Sequence, residues 1–179
     1  MERAAPPRRT LTMKKKPINL SKKAVGSGRL RISEDGEHIT NGHWLCKRSI
    51  LKQAALLTSV EAIKAMFPRA DDVSTIPVAS MDAVVPYYTN PVTYTRTRWI
   101  QSDYAIGVDT VLFVAEAALQ KDDSQVWIQR QYVDLFGLEE VTSQRAAGTA
   151  IIEPVMVGDR DDWKVIVMPQ RLPYREGLR

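Results

Sequence analysis

The fold of this chain is decided by WKVIVMPQRL at positions 163–172, where a strand-like run meets a proline. The first six residues are rich in β-branched and aromatic side chains, which favour extended backbone. Pro169 has no N–H to offer a neighbouring strand, so pairing is expected to stop there. The chain should therefore leave a sheet edge with methionine, proline and arginine side chains exposed.

The N-terminal part of the body is predicted to form two further extended segments. Residues 29–32 alternate between basic and apolar side chains, as a half-buried strand does. Asp35-Gly36 supplies a turn, and residues 37–46 return as a second extended stretch. Asn41-Gly42 is a turn dipeptide that breaks this stretch in the middle.

Hydrophobic periodicity and turn residues assign the remaining elements. Helices are predicted over 50–57, over 59–67 with Thr58 and Glu61 as a capping box and Pro68 as the stop, and over 110–119 behind a cap at Asp109. Strands are predicted over 75–78, 83–85, 92–94, 99–106, 125–133, 149–155 and 163–168. The fold class is therefore α+β: an antiparallel sheet with two or three helices packed on one side, and a C-terminal part that runs β-α-β-β-β.

Composition indicates one domain without a disulfide framework. The chain has 179 residues and a single cysteine, Cys46, which fits a reducing, cytoplasmic location. No apolar run reaches the roughly 18–20 residues of a membrane helix, so no membrane association is expected. His38 and His43 lack a convincing third ligand, and neither a metal site nor a cofactor is predicted.

Charge is distributed unevenly along the chain. Residues 1–30 carry nine Lys or Arg against Glu2, a net +8, which leaves −4 for the rest of a chain whose total is +4. Residues 1–28 are predicted to be a flexible basic arm, because they have few large apolar residues to offset the ordering entropy. Such an arm can neutralise DNA phosphates without reading bases, or it can serve as a solubilising tail or bind an acidic protein. The candidate phosphate-binding residues are Arg8, Arg9, Lys14, Lys15, Lys16, Lys22 and Lys23.

The ending VMPQRL and the segment TNGHWL at positions 40–45 together resemble the bacterial DNA polymerase III sliding clamp (beta subunit) family. In that family the ending is similar to val-met-pro-met-arg-leu, and a thr-asp-gly-his-arg-leu segment lines the same peptide-binding groove. The resemblance implies a clamp-like domain over 29–172, with a C-terminal β-α-β-β-β half-domain and a C-terminal extension over 173–179. Trp44, Gln170 and the extension differ from the family pattern, and the extension could cover the groove.

The resemblance also implies a set of groove residues. A shallow apolar slot of this kind admits leucine and phenylalanine side chains of a linear peptide, with polar anchors at its rim. One side would be lined by Thr40, Gly42, His43 and Leu45, and the other by Val167, Met168, Pro169 and Arg171. The alternative is a well-packed strand end with an exposed loop.

The function that follows is that of a non-enzymatic, DNA-associated protein that docks peptides of replication or repair partners. It would be a short processivity-factor-like protein of a phage or mobile element. Clamp subunits in that family carry three such domains and close a ring as a dimer, so one domain would need about six copies to close a comparable ring, which implies a homo-oligomer.

Two other functions remain open from the sequence. Residues 131–136 resemble the linear peptides that bind clamps, so the protein could instead be an accessory or inhibitory protein that binds a host clamp through Gln131, Leu135 and Phe136. A metal-dependent nuclease would use the aspartate pairs at 71–72, 122–123 and 161–162. Each pair lies beside a predicted turn, where aspartate is common, and no phosphate-binding loop or nucleophile motif accompanies them.

Overall fold

The structure is a computed structural model that describes residues 16–25, 29–69, 73–79, 97–106, 109–115, 125–143, 154–158 and 163–170. Within these ranges the protein is built on one ten-stranded sheet with short helices. The predicted α+β class is therefore confirmed. The predicted strands at 83–85 and 92–94 and the three aspartate pairs lie outside the described residues.

The elements are short. The strands are β1 Leu30–Ser33, β2 His38–Thr40, β3 Trp44–Lys47, β4 Val73–Ile76, β5 Thr97–Ile106, β6 Thr110–Ala115, β7 Gln125–Gln129, β8 Glu140–Ser143, β9 Val155–Gly158 and β10 Trp163–Val167. The helices are α1 Lys22–Val25, α2 Val60–Met66 and α3 Arg130–Phe136, with a 3-10 turn at Arg48–Ile50.

The strand order is β4-β1-β2-β3-β10-β9-β8-β5-β6-β7. Two units with the same connection are visible in it: three consecutive strands form a meander, a helix follows, and the next strand returns beside the first strand of the meander. The return strand β4 is parallel to β1, whereas β8 is antiparallel to β5, so the sheet is mixed rather than purely antiparallel. β9 and β10 join the two units, and β10 pairs with β3.

The two predicted turns of the N-terminal unit are confirmed. Gly36 and Gly42 have φ of 72° and 88°, a backbone conformation that glycine adopts without steric cost. In the first turn the Ser33 hydroxyl and the Glu37 N–H donate to the Asp35 carboxylate. These bonds, the Ser33 bond foremost, lower the pKa of Asp35 below its usual value because they favour the charged form.

Helix α2 is confirmed with a different cap. Ser59, rather than Thr58, is the N-cap residue, and its side-chain oxygen accepts the Ala62 N–H at 3.2 Å. Ile63 anchors the helix in the core, and the helix ends at Met66, just before Phe67 and Pro68. The residue before a proline is driven out of helical angles, as the sequence indicates.

Three other predicted elements are wrong in type or extent. The helix predicted from residue 110 is strand β6 where it is described, and the helix predicted over 50–57 is a 3-10 turn followed by turns. The strand predicted over 125–133 ends at Gln129 and gives way to α3. Val111, Leu112 and Phe113 are all buried, and a run buried on both faces has no period that separates a strand from a helix.

The predicted β-α-β-β-β half-domain is not confirmed, because the segment predicted as its helix begins as strand β6. The same order occurs with other elements, as β7-α3-β8-β9-β10. In the sheet, however, β5 and β6 lie between β8 and β7. The elements that follow one another in the sequence are therefore not one contiguous block of the sheet.

The main core lies between one face of the sheet and the helices. Helix α2 contacts β1 and β4, α3 contacts β6 and β7, and α1 contacts α3. The fully buried large side chains of this core come from both units: Trp44, Trp99, Phe113, Phe136, Leu30, Ile32, Ile39, Leu51, Leu57, Ile63, Ile128 and Leu138. A single core of this kind ties the two units together.

The predicted boundary of the basic arm moves toward the N-terminus. Ile18, Leu20 and Val25 are buried in the main core, and residue 18 forms a parallel bridge with Leu51. The Gln53 side chain also accepts the Leu20 N–H at 3.1 Å. Residues 18–25 therefore belong to the folded body, because three apolar side chains at this spacing bury enough surface to hold the backbone in place.

The single thiol is expected to be chemically inert in the folded protein. Cys46 is completely buried on β3, and burial raises the pKa of its thiol because the apolar surroundings disfavour the thiolate. Since the thiolate is the reactive form, maleimide labelling of the native protein should be at least about a hundredfold slower than labelling of the guanidinium-unfolded chain. Comparable rates in the two states would place Cys46 outside the core.

In the described part of the chain, no helix has the length and apolar character needed to cross a membrane. Over the same residues, no group of three or more His, Cys, Asp or Glu side chains is arranged to hold a metal ion.

Candidate docking site where β3 meets β10

The two motifs that carry the family resemblance lie side by side in the structure. Strand β10 pairs with β3 in antiparallel register, with Val167 opposite Trp44 and Ile166 opposite Leu45. The pairing extends one residue beyond the strand, because the Met168 N–H donates to the His43 carbonyl at 2.8 Å. The two motifs are therefore adjacent, as two sides of one groove would be, and Pro169 follows the last residue of this ladder.

The predicted groove residues that the structure describes do not share one surface. Successive side chains of a strand point to opposite faces, so Val167 and Trp44 lie in the main core, while Leu45 and Ile166 lie on the other face. Val167 is fully buried and Leu45 is nearly so. Neither can line an open slot, and their role in the described structure is to hold the two strands in place.

Leu45 belongs to a small second cluster with Met156, Trp163 and Ile166. The register of β10 shifts between Trp163 and Val165, which places Trp163 with this cluster rather than with the main core. The His38 ring stacks on Trp163 with centroids 5.5 Å apart, and the Lys47 ammonium lies 5.2 Å from the Trp163 ring centroid. This face of β2, β3 and β10 is thus closed by aromatic and cation–π packing.

Thr40 and Asn41 shape the β2–β3 loop. The Thr40 hydroxyl donates to the Trp44 carbonyl and accepts the Gly42 N–H at 3.0 Å. The Asn41 side-chain oxygen accepts the N–H groups of His43 and Trp44 at 2.9 and 3.1 Å. Such local bonds between side chain and backbone stabilise a tight turn, so the Thr40 hydroxyl is engaged within the hairpin.

The exposed part of the predicted site is smaller than the sequence indicates. Gly42 and His43 are exposed at the loop, Met168 is 39% exposed, and Pro169 is half-buried. These four residues are called the docking junction below. Arg171 lies outside the described residues.

The imidazole of His43 is held against α3. Its ring is stacked on that of Tyr132, with centroids 6.5 Å apart and planes inclined by 22°. Next along β3, Trp44 meets Phe136 of the same helix edge to face at 5.4 Å. Within the docking junction, His43 therefore packs on the first turn of α3, and the adjacent Trp44 packs on its last turn.

The docking junction combines apolar contact with a few polar groups. A methionine thioether is adaptable and polarizable, so Met168 can fit several apolar partner side chains. The His43 imidazole can donate or accept a hydrogen bond at the rim. Among described residues, Leu56 and Met168 are the large hydrophobic side chains most exposed to solvent, at 61% and 39%. Leu56 lies in the turns that follow the 3-10 helix, outside this junction.

The alternative partner-binding segment is part of helix α3. Phe136 is fully buried, and Leu135 packs against the main core. Gln131 is half-buried, and its side-chain amide donates to Gln129. A partner could reach the Phe136 ring only if α3 left the core, so the described fold does not present this segment as a linear peptide.

The candidate phosphate-binding residues divide into two groups. Lys16, Lys22 and Lys23 are exposed on the segment that packs against the body. Arg8, Arg9, Lys14 and Lys15 lie outside the described residues. Three of the seven candidate residues therefore lie in the described part of the basic segment.

Sequence reasoning missed the contributions of Tyr132 and Gln170 to this site. Gln170 donates its N–H to the Trp127 carbonyl at 2.7 Å, and its side-chain oxygen accepts a hydrogen bond from the Thr110 hydroxyl at 3.1 Å. Nothing local in the sequence links these residues, since they come from three separate strands or strand ends.

A scan against protein-family models, a search of curated proteins and a search of solved structures found no match to this chain.

Proposed function

We propose that this protein is a non-enzymatic docking protein, resembling a sliding-clamp domain, that binds linear peptide segments of replication or repair proteins at the docking junction. One observation carries the proposal. Two distant motifs that resemble the two sides of a clamp groove are joined by the Met168–His43 backbone hydrogen bond, and a large apolar side chain is exposed beside it.

The chemistry of the junction favours an apolar peptide side chain over a charged or nucleotide ligand. Met168 and Pro169 offer apolar surface, and His43, whose ring stacks on Tyr132, adds an aromatic side chain on the neighbouring strand end. A leucine or phenylalanine of a partner would bury apolar area against this surface and lose little entropy, because aromatic and leucine side chains have few rotamers. So small a surface is expected to give roughly micromolar affinity rather than nanomolar.

The basic N-terminal segment is proposed to add affinity for DNA phosphates. Lys16, Lys22 and Lys23 are exposed in the part of this segment that the structure describes. Charge of this kind gives binding that does not depend on base sequence and falls as salt rises. The DNA contact would then hold the docked replication or repair protein close to the DNA.

The docking site is tested by Met168→Glu. The probe is a fluorescein-labelled peptide that begins with glutamine and ends in leucine-phenylalanine, and the readout is fluorescence anisotropy. We expect the substitution to weaken binding by about tenfold or more, because it places a charge where an apolar side chain must be buried. The matched control is Leu56→Glu, which changes the other well-exposed large hydrophobic residue and should leave the dissociation constant within about twofold.

Two outcomes would overturn the proposal. One is equal loss in the two variants, which would indicate a general effect of added negative charge. The other is binding by the wild-type protein that Met168→Glu leaves unchanged, which would place the peptide elsewhere.

The clamp-binding alternative has no supporting observation in the fold, since its anchor Phe136 is buried.

A further inference from the structure

We infer that Gln170 is a positioning residue: it fastens the end of β10 to the outer strand β7, and it thereby closes the curved sheet and holds Met168 and Pro169 in place for a ligand. The three residues Met168, Pro169 and Gln170 are called the strap below. The closure stands on the contacts of the strap alone. Its effect on a ligand rests on the proposed function.

The sheet must curve strongly for the strap to make its contacts. Four strands, β9, β8, β5 and β6, lie between β10 and β7. The path from β10 to β7 therefore crosses five strand-to-strand spacings, which in a flat sheet would separate the two strands by about 24 Å. Three residues can span at most about 11 Å after Val167, yet the Gln170 nitrogen lies 2.7 Å from the Trp127 carbonyl oxygen. The sheet therefore curls so that its β7 end approaches the end of β10.

Two hydrogen bonds of Gln170 fasten this closure. The backbone N–H donates to the carbonyl of Trp127 on β7, and the side-chain oxygen accepts from the hydroxyl of Thr110 on β6. The Thr110 side chain is buried, whereas Gln170 is exposed. The strap thus contacts the last two strands of the sheet at once.

Both ends of the strap are held, and its middle residue is stiff. The Met168 N–H is bonded to His43 on the β3 side, and Gln170 is bonded on the β7 side. Pro169, between them, has a fixed φ. A segment restrained in this way loses little conformational freedom when a ligand binds, so its affinity is higher than that of a free tail with the same side chains.

The fastening is weak enough to open. Hydrogen bonds of an exposed residue compete with water and contribute little each, so the closed and open arrangements of the strap differ modestly in free energy. A ligand that binds the closed strap more tightly than the open one shifts the equilibrium toward the closed strap. By the same linkage, a variant that favours the open strap lowers the affinity for the ligand. The docking junction and the β7 end of the sheet are then coupled.

The closure is tested by amide hydrogen exchange over residues 125–129. Gln170→Pro removes the N–H that bonds Trp127, while Thr110→Val removes the hydroxyl that bonds the Gln170 side chain and keeps the shape of the buried side chain. We expect each variant to speed exchange of β7 by about two- to tenfold, with little change in α2. Unchanged exchange in both variants would overturn the inference, whatever the peptide does.

The positioning role is tested by peptide affinity in the same variants. Gln170→Pro should weaken binding of the fluorescein-labelled peptide by about three- to tenfold. Gln170→Ala, which keeps the N–H and removes only the acceptor for Thr110, should weaken binding less than Gln170→Pro does. Faster exchange of β7 with unchanged affinity would confine the strap to a structural role and overturn the positioning role. Absence of peptide binding by the wild-type protein would overturn the proposed function, and with it the positioning role, while the exchange result would still decide the closure.

Discussion

Trp44→Ala is expected to lower the free energy of unfolding by about 3–5 kcal/mol, which is a large part of the stability of a domain of this size. Trp44 is almost completely buried on β3 and meets Phe136 of α3 edge to face. Removing the indole leaves a cavity between the sheet and the helix that supports the docking junction. Urea denaturation followed by circular dichroism measures the change.

A conservative variant separates packing from hydrogen bonding. The indole N–H of Trp44 is buried without a hydrogen-bond partner among the described residues, so it contributes no bond that a phenylalanine would lose. Trp44→Phe is therefore expected to cost much less than Trp44→Ala, about 1–2 kcal/mol, because the aromatic contact remains and only part of the volume is removed.

A double-mutant cycle with Phe136→Ala tests the contact itself. Edge-to-face aromatic pairs contribute about 0.5–1.5 kcal/mol beyond the buried area, so the two losses should be less than additive when combined. Fully additive losses would mean that Trp44 and Phe136 stabilise the fold independently. In that case β3 and α3 are not coupled through this pair.

Two N-terminal truncations are expected to behave very differently. Deleting residues 1–25 removes Ile18, Leu20 and Val25 from the core, and each buried side chain of this size contributes about 1.5–3 kcal/mol. The loss, on the order of 5 kcal/mol, approaches the whole stability of many domains. Deleting residues 1–15 removes none of the three and should leave the midpoint of thermal unfolding within a few degrees, about 2–4 °C.

The shorter truncation also tests the proposed DNA binding. Residues 1–15 contain five Lys or Arg, whereas Lys16, Lys22 and Lys23 remain. Affinity for a labelled duplex should fall, and the slope of log affinity against log salt should decrease by about 0.9 for each DNA phosphate that the shortened protein no longer neutralises. Unchanged affinity and slope would remove the arm from the DNA interaction. An unchanged unfolding midpoint in the longer truncation would contradict the burial of residues 18–25.

Local chemistry explains the features that were predictable from the sequence. Asp35-Gly36 and Asn41-Gly42 are turns because glycine adopts a positive φ, and because the Asp35 and Asn41 side chains accept hydrogen bonds from backbone N–H groups two residues further on. Helix α2 begins beside Ser59 and ends before Pro68 for equally local reasons. Pro169 follows the last residue of the β10–β3 ladder because it has no N–H to donate. Each of these depends on residues within a few positions of one another.

The features that only the tertiary structure decided depend on distant residues. Val111 to Phe113 form a strand, because pairing with β5 and β7 satisfies their backbone and packing covers both of their faces. The side-chain alternation of β3 and β10, once paired, sends Leu45 and Val167 to opposite faces and reduces the predicted groove to the exposed docking junction. Residues 18–25 belong to the folded body because Ile18, Leu20 and Val25 pack into a core formed by residues distant in the sequence.

The sequence by itself determined the α+β class, the turns at Gly36 and Gly42, and the presence of α2 with its end before Pro68. The tertiary structure decided which face each side chain occupies, which strands are neighbours, and that Gln170 reaches Trp127 across the curled sheet. The physical reason is the range of the interactions. Backbone conformation at turns and caps is set by nearest neighbours, whereas burial and strand pairing are set by residues that only folding brings together.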